Sequence, residues 1–500
     1  MHSEMQGEAG DVVARRMVGT FEAQQRAFRE CTYPDPASRR RKLDALKRQL
    51  QRYQTAIAVA IDADYGRRSQ TESKMIEVLG CILDARHAIS HLGRWARPSR
   101  RSTELLFMSN GLRVVYQPKG VVGIVVPWNF PLYLAIGPLI AALAAGNRAM
   151  IKLPEITPRT NAVMARMLGE IFAEDEVAVI GGELDNPGLF SALPFDHLVF
   201  TGSPTIGRVV MRAAAKNLTP VTLELGGKSP AFVGRSYPVA DAALRITHGK
   251  VTNCGQICVA PDYALVPRER VTEFVAAVKA AFIRLAGESP SSNPDYTCIV
   301  SDHHARRLVD LLQDARDKGA EVVSCADYPG SRDARHLPLQ IVLGCHADMH
   351  IMRDEIFGPI LPVVVYDTVD EVVERIGSSE RPLALYLFSH DRAERDDLLR
   401  RTHSGGVSIN DWGWHAFNHD APFGGIGNSG MGSYHGVEGF RELSHAKTVF
   451  KRHRLFPVSL FYPPYGHLVQ RMALRLFLGK ADPIVGAASP SRLARSELET

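Results

Sequence analysis

In the N-terminal region, apolar and polar positions alternate with the period of a helix. Leu43, Leu46, Leu50 and Tyr53 fall at i, i+3, i+7 and i+10 among lysines and arginines, and Met75, Val78, Leu79 and Ile82 continue the stripe. Such spacing lines one face of an amphipathic helix. Pro98 ends this stretch, because proline disfavours helical dihedrals at the residue before it. Residues 111–118 read as a short strand. From Val121 the rhythm changes to short strand-like segments with apolar centres at 121–126, 148–152, 177–180 and 197–200, separated by helix-favouring stretches at 135–145 and 158–172. Strands alternating with helices predict an α/β fold with a parallel, Rossmann-like sheet. A second alternating stretch covers about residues 231–410. Glycine-rich sequence follows, then a tail beyond about residue 450. There Leu468, Val469, Met472 and Leu476 form a short apolar stripe beside Arg471 and Arg475. The stripe reads as docking on protein rather than membrane contact.

Composition narrows the class. The chain has 500 residues, more than one hydrophobic core usually serves, so two or three domains are expected. A net charge of +5 is a weak bias, and the basic runs at 39–41 and 97–101 are short, so no nucleic-acid partner is expected. Seven cysteines at scattered spacing form no disulfide framework, which fits a reducing cytoplasm. The N-terminus has no basic-then-apolar pattern of a secretory signal, and no apolar run is long enough to span a bilayer. No metal site is expected, since Cys254 and Cys258 have no second ligand pair at suitable spacing.

Candidate chemistry lies in a few segments. Cys258 ends the turn-prone stretch Asn253-Cys254-Gly255-Gln256-Ile257-Cys258, and Glu224 opens Glu224-Leu225-Gly226-Gly227-Lys228-Ser229-Pro230. A thiol nucleophile with an acid/base carboxylate is the minimum for acyl transfer through a thioester. Asn129, between Pro127 and Pro131, offers a neutral, fixed donor for an oxyanion, or serves only as a turn residue. Gly202, Ser203 and Gly207 lead from a strand into a helix, where a close backbone and free N–H groups suit a pyrophosphate. Arg208-Val209 stands where a nucleoside-triphosphate loop needs Lys-Ser/Thr, which argues against that class. Lys152 and Glu155 follow a strand end, placed either to bond two ribose hydroxyls or to form a surface ion pair. Glu355 and Phe357 precede Gly358-Pro359, otherwise a plain strand-entry turn. Cys254 would share a helical face with Cys258, as a buried small residue or a protective disulfide partner. His303-His304 and Cys345-His346 read as ordinary surface or strand residues.

The segments around Cys258 and Glu224 closely resemble the signature pair of the aldehyde dehydrogenase superfamily. Phe200-Thr201-Gly202-Ser203, Glu355-Ile356-Phe357-Gly358-Pro359 and Pro422-Phe423-Gly424-Gly425 resemble further family blocks, and the likeness spans roughly residues 40–450. Lys152-Leu153-Pro154-Glu155, the run 259–263 and Tyr434-His435-Gly436 resemble the class 3-like branch and, within it, bacterial coniferyl aldehyde dehydrogenases. Leu153-Pro154 and Ile257 depart from the commoner family residues.

The resemblance implies a mechanism. Cys258 attacks an aldehyde, Asn129 and the Cys258 N–H hold the oxyanion, hydride passes to a nicotinamide, and Glu224 activates the water that hydrolyses the thioester. It also implies that Lys152 and Glu155 hold the adenosine ribose, that Glu355 holds the nicotinamide ribose and that Phe357 packs near the ring. Gly202, Ser203 and Gly207 would lie against the pyrophosphate. Glu155 would repel a 2′-phosphate, which favours NAD, with NADP possible. Tyr65, Trp412 and Phe423 are expected to wall the substrate pocket and to suit an aromatic, coniferyl-type aldehyde; a medium- or long-chain aliphatic aldehyde is the alternative.

By the same likeness, residues 1–97 and 119–224 form the NAD-binding domain and 225–409 the catalytic domain. Residues 98–118 and 410–450 form a small β arm for a homodimer, and 451–500 a tail. A CoA-acylating relative would tend to lack Glu224. A thiol hydrolase without redox chemistry would not need Lys152, Glu155, Gly202 and Phe357 together.

Overall fold

The computed structural model describes residues 2–181, 188–327, 335–456 and 458–479. Two parallel sheets dominate its larger unit, which comprises residues 1–97 and 116–447. The first sheet has six strands, in the order Gly430–Met431, Val221–Leu225, His197–Gly202, Val121–Val125, Arg148–Lys152 and Val177–Ile180. All its pairings are parallel except that of Gly430–Met431 with Val221–Leu225. The second has seven strands, in the order Glu321–Ser324, Gln340–Leu343, Ile360–Tyr366, Tyr263–Pro267, Pro230–Val233, Ala384–Phe388 and Gly406–Ile409. Only the Glu321–Ser324 pairing is antiparallel. The strands read as continuous apolar runs because helices cover both faces of such sheets. Met150, Leu198, Phe200 and Leu223 share one core cluster; Phe232, Tyr263, Leu265 and Leu387 share another.

The N-terminal helices are His2–Glu30, Pro36–Tyr65 and Leu79–Trp95. Leu43, Leu46 and Leu50 are fully buried, as the stripe requires, whereas Met75 and Leu79 are exposed. Asp35 caps the helix Pro36–Tyr65 by accepting from the Ser38 N–H, and Gly66 ends it in the left-handed region.

The expected arm divides differently. Residues 98–115 group with 448–500 in a smaller unit, while 410–447 belong to the larger one. Gly430–Met431 joins the first sheet as an edge strand, which draws the glycine-rich segment there. Within the smaller unit the helix Leu468–Leu478 leaves Leu468, Val469, Met472 and Leu476 exposed. Among the described residues no helix is long and apolar enough to cross a membrane.

Candidate active site

A cleft of about 870 Å³ lies where the carboxyl ends of the first sheet meet the amino ends of the second. The first sheet contributes 127–129 beyond Val121–Val125, 201–205 from the end of His197–Gly202, and Glu224 with 226–228 from the end of Val221–Leu225. The second contributes turns that precede strands: Cys258, Glu355 with Phe357, and 378–381. Ligands of open α/β sheets gather at such strand ends.

Cys258 is half-buried and unpaired, and burial, then the Glu355 and Glu224 carboxylates, push its thiol up to about 12. Cys258 therefore rests as the thiol, and a base must take its proton before it can attack. Glu224 is buried on the strand Val221–Leu225, opposite Thr201 on one neighbour and Gly430 on the other. Neither of its oxygens has a protein partner, and burial raises it well above the usual carboxylate range. A carboxyl in that state accepts a proton readily at neutral pH. Asn129 is buried, and its Nδ2 donates to the Gln256 carbonyl at 3.2 Å. A side-chain amide has two donors, so one remains for a substrate oxygen. The Tyr386 hydroxyl donates to the Val259 carbonyl and so anchors the chain beside the thiol.

Of the residues expected at a dinucleotide, Gly202, Ser203, Glu355 and Phe357 border the cleft, whereas Lys152, Glu155 and Gly207 do not. Ser203 caps the helix Pro204–Ala215 by accepting from the Ile206 N–H, with Gly202, Ser203 and Thr205 on the cleft wall. Gly207 sits inside that helix, where a Cβ would come within 2.7 Å of Leu225, so it serves helix–strand packing rather than the cleft. Lys152 is buried and pairs with the exposed Glu155 beyond its strand. Glu355 lies over Gly226, where any Cβ would overlap its carboxylate. Burial and Asp262 push Glu355 up to about 8, and its Oε1 is buried without a partner. Phe357 takes a left-handed φ of 50° and packs edge-on to Trp128 at 5.3 Å.

Three charged side chains unmarked by the sequence reading clamp this turn. Lys228 pairs with Asp262 and donates to the carbonyls of Ile351 and Asp354. Asp262 accepts from the Ile356 N–H at 2.9 Å, and Arg307 donates to the carbonyls of Glu355 and Ile356. Lys228 and Asp262 belong to quoted motifs, which was the available signal; Arg307 lies on the helix Asp302–Asp317 with no local cue.

Several expectations need correction. Tyr65 does not border this cleft: it is fully buried, and its hydroxyl donates to the carbonyls of Trp128 and Asn129 at 3.1 Å each. It ends its helix and turns under the 128–129 loop. Trp412 is buried against Gly249 and Pro261 and donates to His248 at 2.9 Å. Phe423 stacks on His435 at 5.3 Å. None of the three borders the cleft, whose aromatic residues are Trp128, Phe357 and His304. His304 is thus no ordinary surface residue: it packs on Trp128 at 4.9 Å, and burial lowers it to about 4. Cys254 and Cys258 share no helical face, because Asn253 and Cys254 both take left-handed φ, 44° and 53°. Cys254 is buried with its sulfur on the Tyr296 hydroxyl at 3.5 Å. Among the described residues no cluster of potential metal ligands occurs.

Comparison with known proteins agrees with this architecture. The model of the aldehyde dehydrogenase family matches residues 4–449. A probable coniferyl aldehyde dehydrogenase of Pseudomonas aeruginosa is 47% identical over 462 residues, 92% of this chain and 95% of the relative. The substrate-bound structure of Staphylococcus aureus AldH superposes with a TM-score of 0.86 at 33% identity, covering 92% of this chain and 99% of that one. A Mycobacterium tuberculosis aldehyde dehydrogenase complexed with NAD+ gives a TM-score of 0.79 at 27% identity, covering 87% and 90%. The chain belongs to the aldehyde dehydrogenase family, as an NAD(P)-dependent enzyme with the fold of that family.

Proposed function

We propose that this enzyme oxidises aromatic aldehydes of the hydroxycinnamaldehyde type, coniferyl aldehyde among them, to carboxylic acids, with Cys258, Glu224 and Asn129 as its catalytic residues. One observation carries the reading: the thiol, the unpartnered carboxylate and the amide border one cleft together with Ser203, Glu355 and Phe357. The relatives named for coniferyl aldehyde support the substrate class.

Cys258 adds to the aldehyde carbon as its proton leaves for Glu224, the unpartnered base. Asn129 and the Cys258 N–H stabilise the oxyanion, and one such donor contributes about 3 kcal/mol. A bound nicotinamide dinucleotide supplies the hydride acceptor. Once Glu224 has released that first proton to solvent, it takes a proton from the water that hydrolyses the thioester on Cys258.

The residues present suit that cofactor. The capped helix start at Ser203 offers N–H groups to a pyrophosphate, and the free Glu355 oxygen accepts from a ribose hydroxyl. Lys152 and Glu155 hold the second ribose, where Glu155 favours NAD over NADP. The exposed apolar Ile206 and Val209 offer a face to the base. In this reading the six-stranded sheet serves the cofactor, the seven-stranded sheet carries the thiol, and the protein is a cytoplasmic homodimer.

The test is reduced-dinucleotide formation across hydroxycinnamaldehydes, benzaldehydes and short- to long-chain aliphatic aldehydes, with Cys258→Ala as the blank. Highest kcat/KM on a hydroxycinnamaldehyde supports the reading; highest kcat/KM on an aliphatic chain replaces the substrate class.

A further inference from the structure

Three donors converge on one backbone oxygen, the carbonyl of Asn129. Arg68 Nη1 stands at 2.8 Å, Asn253 Nδ2 at 3.0 Å and the Tyr65 hydroxyl at 3.1 Å. A carbonyl has two lone pairs, so three donors exceed what hydrogen-bond satisfaction requires. All three side chains are fully buried or nearly so. The Arg68 guanidinium also lies over the rings of Tyr65 and Phe130, at 4.9 and 4.8 Å. It pairs with Glu77 at 3.3 Å and with Glu72 at 3.4 Å.

The two carboxylates carry the cluster onward. Glu77 accepts from the N–H groups of Leu132 and Tyr133, at the start of the helix Tyr133–Ala145. Glu72 accepts from the Asn253 N–H, at the left-handed bend that leads to Cys258. Asn253 Nδ2 also reaches the Gln256 carbonyl, the same oxygen that accepts from the Asn129 amide. Gln256 in turn accepts from the Val300 N–H and donates to the carbonyls of Asn253 and Cys298. One buried ionic cluster thus grips both the loop that presents the amide and the loop that presents the thiol.

We propose that Arg68 is a positioning residue: it fixes the distance between the Asn129 amide and the Cys258 sulfur, through the Asn129 carbonyl on one side and through Glu72 and Asn253 on the other. The inference rests on the roles given above to Cys258 and Asn129. Arginine suits the task because its fork reaches carbonyl and carboxylate at once, which an ammonium does not. A displacement of about 1 Å at a reacting centre costs on the order of a hundredfold in rate.

The test uses the full-length enzyme with cinnamaldehyde and NAD. Arg68→Lys keeps the charge facing Glu72 and Glu77 but removes the fork. It is expected to lower kcat by about ten- to a hundredfold while the KM for NAD stays within about twofold. Tyr65→Phe is expected to act in the same direction by a smaller factor. Because Arg68 works through Asn129, Arg68→Lys combined with Asn129→Ala should be no more than about twofold slower than Asn129→Ala alone.

A folded Arg68→Lys enzyme with parental kcat overturns the proposal, and so does a full multiplicative loss in the double variant. If Arg68→Lys does not fold, Tyr65→Phe decides, and parental kcat there overturns it. Undiminished turnover in Cys258→Ala would instead overturn the assignment of the site itself, whatever Arg68 does.

Discussion

The loop that carries Asn129 and the turn that carries Glu355 and Phe357 are both held from behind by charged side chains, but in different surroundings. Behind Asn129 stand Arg68, Tyr65 and Asn253, all sealed from solvent. Behind Phe357 stand Lys228, Asp262 and Arg307, of which Lys228 and Arg307 also form part of the cleft wall. Sealed charge-assisted bonds escape salt screening, while those at a wetted wall do not. The Asn129 side is therefore preset, while the Glu355 side keeps two of its three charged groups on the cleft wall. The left-handed φ of Phe357 sharpens the contrast, since such strain in a non-glycine residue costs about 1–3 kcal/mol and persists only while its surroundings enforce it.

Cys258→Ala breaks the comparison most completely. It should reduce aldehyde oxidation by roughly a thousandfold or more while leaving NAD binding intact, measured by steady-state kinetics and fluorescence titration. Asn129→Ala follows, with kcat lower by about a hundred- to a thousandfold and little change in the KM for aldehyde. Glu224→Gln should slow turnover by about a hundredfold with no burst of reduced dinucleotide in stopped flow, because the same carboxylate serves both the thiol and the water.

The pH dependence carries a definite sign. Glu224 is held well above its usual range; with its ionised form as the proposed base, parental kcat should rise with pH through neutrality. Glu224→Gln should flatten that rise. Asp262→Asn perturbs the clamp behind Glu355 and Phe357 alone and should raise the KM for NAD by about five- to tenfold, the net loss of roughly one hydrogen bond. Added salt should have the smallest effect, shifting that KM more than kcat.

Much of the architecture could be read before any coordinates. Runs such as 121–125 and 230–233 are buried on both faces, so their apolar character is unbroken and strand-like. Cys258, Glu224, Asn129 and Glu355 sit in short segments whose local chemistry is distinctive, and the fold brings them to one cleft. Arg68, Glu72 and Glu77 could not be found that way. Charges at such spacing look like a solvated helix face, and their burial comes from loops at 129 and 253, far away in sequence. Trp412 and Phe423 stand in or beside the glycine-rich segment, but proximity in sequence does not say which way a ring turns, and neither borders the cleft. The shared face expected for Cys254 and Cys258 fails because two consecutive left-handed residues interrupt the helix.

Gly226 lies beneath the Glu355 carboxylate with no room for even a methyl group. Two stretches remote in the chain therefore share one small volume. A side chain at the glycine would push the acid opposite out of the place it now holds.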